Sequence, residues 1–160
     1  MSATAKREQA RIQDQTALAA LGITREDVAR FQRLAAHVLF TGPTLRSRAS
    51  VTGNHRGQPG LWPHAISGDL PIVLARLAGI DDLALAGELL RAHAYWRGCG
   101  LVADLVLLND AGPPDELHHA LEKLVRLGPT AALSDKPGGV FLKAAAGMPA
   151  EDVMLLEAAA

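Results

Sequence analysis

Apolar residues are distributed along this chain in two ways, at helical spacing and in short unbroken runs. Val28, Phe31, Leu34, Ala35, Val38 and Leu39 fall three and four apart, which predicts a helix over 24–40. Thr24 supplies its N-cap, and Glu26 and Asp27 an acidic first turn of the sign the helix dipole favours. Thr41-Gly42-Pro43 stops it. Upstream, strong helix formers from Thr4 to Ala20 predict a first helix, closed by Gly22 as its C′ residue. From about Arg46 to Gly68 no period emerges, and Gly53, Gly57, Pro59, Gly60, Pro63 and Gly68 interrupt the stretch. An irregular segment of that length inside a compact domain usually serves a function or wraps a partner.

Beyond it, runs and stripes alternate. Leu70 to Leu77 is a short apolar run bounded by turn signals, as a buried strand would be. Asp81-Asp82 opens a helix to about Trp96 with the stripe Leu85, Leu89, Ala92, Trp96, closed by Gly98 and Gly100. Leu101 to Leu108 is a second run, broken only by Asp104. A helix from Asp115 to Leu127 carries Leu117, Leu121, Leu124 and Val125 on one face. Val140-Phe141-Leu142 is a third run, and Pro149, at a helix N1 position, opens a last helix. The fold class expected is therefore α/β: N-terminal helices followed by a small three-stranded parallel sheet in βαβαβα order. Continuous apolar strands imply burial on both faces. The chain divides into a helical segment over 1–45, a long loop over 46–70 and an α/β module over 71–160. Two features suggest a piece of a longer protein: a three-stranded sheet with open edges, and a last helix that reaches Ala160 without a cap.

Composition narrows the function classes. The 160 residues are 49% hydrophobic and 21% charged, which excludes a disordered chain. Sixteen Lys and Arg against seventeen Asp and Glu leave a net charge of −1, with no basic surplus to neutralise phosphates, so no nucleic-acid partner is expected. One cysteine, Cys99, excludes an internal disulfide and a cysteine-built zinc site. No apolar run approaches the roughly 20 residues of a membrane span, so no membrane contact by this segment is expected.

Few constellations carry chemistry. The first βα turn, Leu77-Ala78-Gly79-Ile80-Asp81-Asp82, places two carboxylates where a dinucleotide-binding turn needs glycines, and no phosphate-binding loop occurs elsewhere. His118-His119 are adjacent and diverge on a helix, so they cannot chelate one metal. No cofactor, metal or catalytic residue is expected. His64, Ser67 and Asp69 crowd into six positions beside Trp62, which invites a hydrolase reading. A triad, however, normally draws its members from distant segments, and a tight turn using Ser67 and Asp69 is the simpler account. Asp69 is expected to accept from loop amides and hold the loop over the sheet. Asn109, just past a strand's carboxyl end, stands where open α/β sheets bind ligands, or caps the next helix. Asp104, inside a strand, would tie down a neighbouring loop if buried.

Several blocks, in order and spacing, carry a resemblance. They are Phe31-Gln32-Arg33-Leu34-Ala35, Gly60-Leu61-Trp62, Ile66-Ser67-Gly68-Asp69-Leu70-Pro71-Ile72-Val73-Leu74, Leu89 to Arg97, Asp104 to Asn109 and Gly138-Gly139-Val140-Phe141-Leu142. From about Glu26 onward the chain resembles an interior region of the cyclic β-1,2-glucan synthases, departing from their pattern at His64-Ala65 and Asp110. The resemblance implies a large bacterial parent, anchored in the inner membrane, that joins a glycosyltransferase to β-sandwich domains and a phosphorylase-like barrel. This segment would lie on the cytoplasmic side between sandwich domains, away from both catalytic centres. It implies a non-catalytic α/β interdomain module whose partners are the flanking domains of that parent and, through Trp62, His64, Ser67, Asp69 or Asn109, a β-glucan. The alternatives are a stand-alone carbohydrate-binding module and a small hydrolase using the loop's His, Ser and Asp.

Overall fold

The computed structural model describes residues 16, 18–40, 47–112 and 116–160. The expected helix over 4–20 lies outside them except at positions 16 and 18–20, which are helical. Gly22 then turns the chain at φ 62°, with Ile23 N donating to Leu18 O, as its C′ role requires.

Helix α1 spans Arg25–Leu39. Thr24 and Asp27 close a reciprocal cap: Asp27 N donates to Thr24 Oγ1 at 3.1 Å, and Thr24 N donates to the Asp27 carboxylate at 2.9 Å. These bonds, joined by Arg30, pull the Asp27 carboxyl down to about 2. On the inner face Phe31 is fully buried against Ala92 and Trp96, and Trp96 Nε1 donates to Phe31 O at 2.8 Å.

The sheet matches expectation. Strands β1 (Ile72–Leu77), β2 (Asp104–Asn109) and β3 (Val140–Ala144) are parallel in the order β1-β2-β3, with Ile72 opposite Asp104 and Leu105 opposite Val140. Helices α3 (Leu83–Gly98) and α4 (Glu116–Leu127) make the crossovers and cover one face, where Ala75, Leu77, Leu105, Leu107 and Val140 meet Leu90, Leu117 and Leu121. Helix α5 (Ala150–Ala159) covers the other, packing Leu155 and Leu156 on Ile72, Val106 and Phe141. Every residue of β2 is buried, which is why its sequence reads as an unbroken apolar run.

The boundaries shift for identifiable reasons. The second strand begins at Asp104 rather than Leu101, because Leu101 N donates to Trp96 O and Gly100 sits at φ 86°, so these residues serve the exit of α3. Helix α3 begins at Leu83 rather than Asp81. Ile80–Asp82 is a 3₁₀ turn, and the Asp82 carboxylate takes the amides of Ala78 at 2.7 Å and Gly79 at 3.3 Å. Pro149 is the N-cap of α5 and not its first helical residue.

The stretch after residue 46 is more regular than its sequence suggests. It contains a short helix, α2 (Arg48–Gly53), capped by Ser47, and a 3₁₀ helix, Gln58–His64. Six residues are too few to display a helical period, and a 3₁₀ segment carrying Pro59 and Pro63 has none to display. Both pack against α5, with Leu61 and Ile66 buried in the lower core.

Candidate functional site

Four of the five sequence-derived candidates sit together on the 3₁₀ helix and the turn after it. Leu61 and Ile66 point inward and anchor the segment. Ala65, at φ 64°, reverses the chain between them. Trp62 is left 60% exposed, and its Nε1 donates to Ser67 O at 3.3 Å. The same carbonyl accepts from Gln58 Nε2 at 2.8 Å, and Gln58 Nε2 also donates to Asp69 Oδ1 at 2.8 Å. Asp69 N donates to Ser67 Oγ at 3.2 Å, the turn bond its sequence suggests. The Asp69 carboxylate therefore binds a side-chain amide rather than the backbone amides expected of it.

His64 faces away from Ser67. Its Nε2 lies 3.0 Å from Asp152 Oδ2 in the first turn of α5. Arg56 pairs with the other Asp152 oxygen and, at 3.1 Å, with Glu151. His64 foremost, then Arg56, hold the Asp152 carboxyl below its ordinary range against the opposing effect of burial. Sequence reasoning did not find this pairing, whose partners are 88 positions apart.

Asn109 lies elsewhere. It pairs in register with Leu77 at the carboxyl end of the sheet, whereas Asp69 precedes the start of β1. Asn109 is fully buried and its Oδ1 accepts from Ala111 N at 2.8 Å, the turn-forming role. Beside it Arg76 bridges Asp110, at 2.7 Å, and Glu157, whose second oxygen accepts from Ser50 Oγ. This network ties the ends of β1 and β2 to α5 and α2.

At the amino end of the sheet, Asp104, Arg97 and His93 gather around one glycine. Asp104 Oδ1 accepts from Gly138 N at 2.6 Å, and Arg97 Nη1 donates to Gly138 O at 2.5 Å. Buried His93 donates from Nε2 to Ala103 O at 2.9 Å. Asp104 thus ties down a loop, as its strand position implied. A cavity of about 700 Å³ runs along the outer edge of β1, lined among others by Val38, Val73, Arg76, Trp96 and Glu157. None of the five candidate residues lines it. Among the described residues no group of three or more His, Cys, Asp or Glu is placed to hold a metal ion.

The fold and these contacts define an α/β module with a small parallel sheet covered on both faces, whose polar side chains mostly secure turns and helix ends. No family model matches it. Over 120 residues, 73% of its length, the chain is 38% identical to the cyclic β-(1,2)-glucan synthase NdvB of Rhizobium meliloti (strain 1021). The chain is thus related to a region of a cyclic glucan synthase, and the match spans 4% of that protein's length. Among the described residues no helix is long and apolar enough to cross a membrane.

Proposed function

We propose that the chain is a non-catalytic α/β module of a cyclic β-1,2-glucan synthase-type protein, which braces neighbouring domains of a larger, membrane-anchored parent on its cytoplasmic side. The observation that carries this reading is the use to which the candidate polar groups are put. Ser67 Oγ accepts from Asp69 N, His64 binds Asp152, and Asn109 accepts from Ala111 N. Each bond secures backbone or a helix end. The hydrolase reading requires His64 to reach the Ser67 hydroxyl, and its Nε2 is directed to Asp152 instead.

The test incubates the purified chain with β-(1,2)-glucan, with and without inorganic phosphate, and follows new reducing ends or sugar phosphate. No turnover is expected. Turnover that disappears on Ser67→Ala or His64→Ala would overturn the reading. The carbohydrate-binding alternative draws on one observation, the exposure of Trp62.

A further inference from the structure

We propose that Trp62, Gln58 and Asp69 form a binding platform for one sugar unit of a neutral β-linked glucan. The proposal rests on the reading above, in that it gives the module a glucan to hold, and it specifies which side chains meet one sugar unit and how they are held. The chain has two tryptophans, and they are treated oppositely: Trp96 is 1% exposed in the core and Trp62 is 60% exposed. Trp62 leaves its apolar ring face to solvent while its N–H is bonded to Ser67 O, the two-ended character that suits an aromatic to contact with an amphipathic ligand.

The support is fixed from three directions. Pro59 and Pro63 restrict the backbone on either side of Trp62, while Leu61 and Ile66 anchor it in the core. The indole is oriented by its bond to Ser67 O, and Gln58 closes on the same carbonyl and on Asp69. Gly68 makes the convergence possible. At φ 76° it adopts a conformation that disfavours side chains, and a Cβ there would meet Gln58 Cγ at 2.8 Å and Leu61 Cδ1 at 3.1 Å. An aromatic, a carboxamide and a carboxylate are thereby held side by side before any ligand arrives, which lowers the ordering cost of binding.

Their chemistry is complementary to a pyranose. The ring's C–H face lies on an indole, while its rim hydroxyls donate to the Asp69 carboxylate and to the Gln58 amide oxygen, both amide hydrogens being engaged by Ser67 O and Asp69. The Asp69 charge disfavours phosphorylated or nucleotide ligands, and Arg56, the arginine nearest the platform in sequence among residues 47–70, is already engaged by Glu151 and Asp152. A neutral sugar fits this charge pattern.

The experiment measures acrylamide quenching of tryptophan fluorescence in the full chain, titrated with a β-(1,2)-linked gluco-oligosaccharide. Buried Trp96 contributes little to the quenching, so Trp62 is the reporter. Saturable protection is expected. By calorimetry, Trp62→Ala should weaken binding about tenfold, the scale of one aromatic contact, with Trp62→Phe losing less. Asp69→Asn should weaken it severalfold while circular dichroism stays unchanged. No protection up to the solubility limit of the oligosaccharide, or equal protection by a sugar-free polymer, would overturn the proposal. Shielding of Trp62 only in the presence of the other synthase domains would assign the ring to a protein contact; the platform would fall and the bracing reading would stand. Turnover of the oligosaccharide would overturn the non-catalytic reading on which the platform rests.

Discussion

His64 and Asp152, one on a 3₁₀ helix and one in the first turn of α5, meet at 3.0 Å across the lower face of the sheet. The contact fastens the 58–69 segment to the helix beneath it, and Arg56 reinforces it from the opposite carboxylate oxygen. Because these partners hold the Asp152 carboxyl below its ordinary range, the ionised form is favoured on folding. The stabilisation is therefore fully present above the unfolded-state carboxyl range and is lost as pH falls through the lower, folded-state value. Asp152→Asn should lower the melting temperature by a few degrees at neutral pH and converge on the parent in acid. Parallel melting curves for the two proteins across that range would show that the contact contributes nothing.

Gly138 is predicted to be irreplaceable. It lies at φ 70°, and a Cβ there would meet Val102 Cγ1 at 2.5 Å and Arg97 Nη1 at 2.9 Å. Backbone strain alone gives Gly138→Ala a cost of about 2 kcal/mol, before any displacement of Arg97 from the Gly138 carbonyl. Gly98, the last residue of α3, with no positive φ and open space around it, is the control: Gly98→Ala should stabilise by about 0.4–1 kcal/mol through the unfolded chain. Urea melts of both variants check the pair. Equal effects of the two substitutions would contradict the argument.

The contrast between these positions parallels what the sequence reveals. The strands are legible because both faces of the sheet are covered, so Leu105 to Leu108 run apolar without a break. The cap at Thr24 and Asp27 is legible because it is local, spanning three positions. Leu101–Ala103 are misread as strand because apolar residues serving a helix exit look like strand residues until the Leu101-to-Trp96 bond is known. The candidate site divides the same way. The turn at Ser67 and Asp69 follows from residue chemistry over a short span. The partnership of His64 with Asp152 depends on how α5 crosses the sheet, which no local pattern encodes.

Asp69 is exposed, and its carboxylate accepts from Gln58 Nε2. Asp69→Ala should accordingly change stability by no more than about 0.5 kcal/mol, the range of ordinary surface substitutions. It should still release Gln58 from one of its two acceptors and speed proteolysis near Trp62. Gln58→Ala, which removes both bonds, should speed it further. A denaturant melt and a timed protease digest measure the two effects separately. A loss of several kcal/mol for Asp69→Ala would mean that this carboxylate holds the loop after all.

Asp104 and His93 should give the stability profile slopes of opposite sign. Burial pushes the Asp104 carboxyl up, its accepted bond from Gly138 N only partly countering that, and Asp69 adds a small push in the same direction. The folded chain therefore holds this proton more tightly than the unfolded chain, and stability falls as pH rises from the unfolded-state carboxyl value toward the higher folded one. Burial pushes His93 down, with Arg97 adding to the effect and the neighbouring carbonyls opposing it. There the unfolded chain binds the proton more tightly, so stability rises with pH through the window just below the ordinary histidine value. Asp104→Asn keeps an acceptor for Gly138 N and removes the charge, so it should flatten the acid-side decline and leave the histidine-linked rise in place. Asp104→Ala removes the acceptor and should cost about 1–3 kcal/mol at every pH, since Gly138 N would be left buried without a partner. Chemical denaturation of the parent and both variants from acid to neutral pH measures all three curves. If Asp104→Asn leaves the acid-side slope unchanged, the carboxyl titrates as an exposed group would, and the tie to Gly138 is not the element that fixes this end of the sheet.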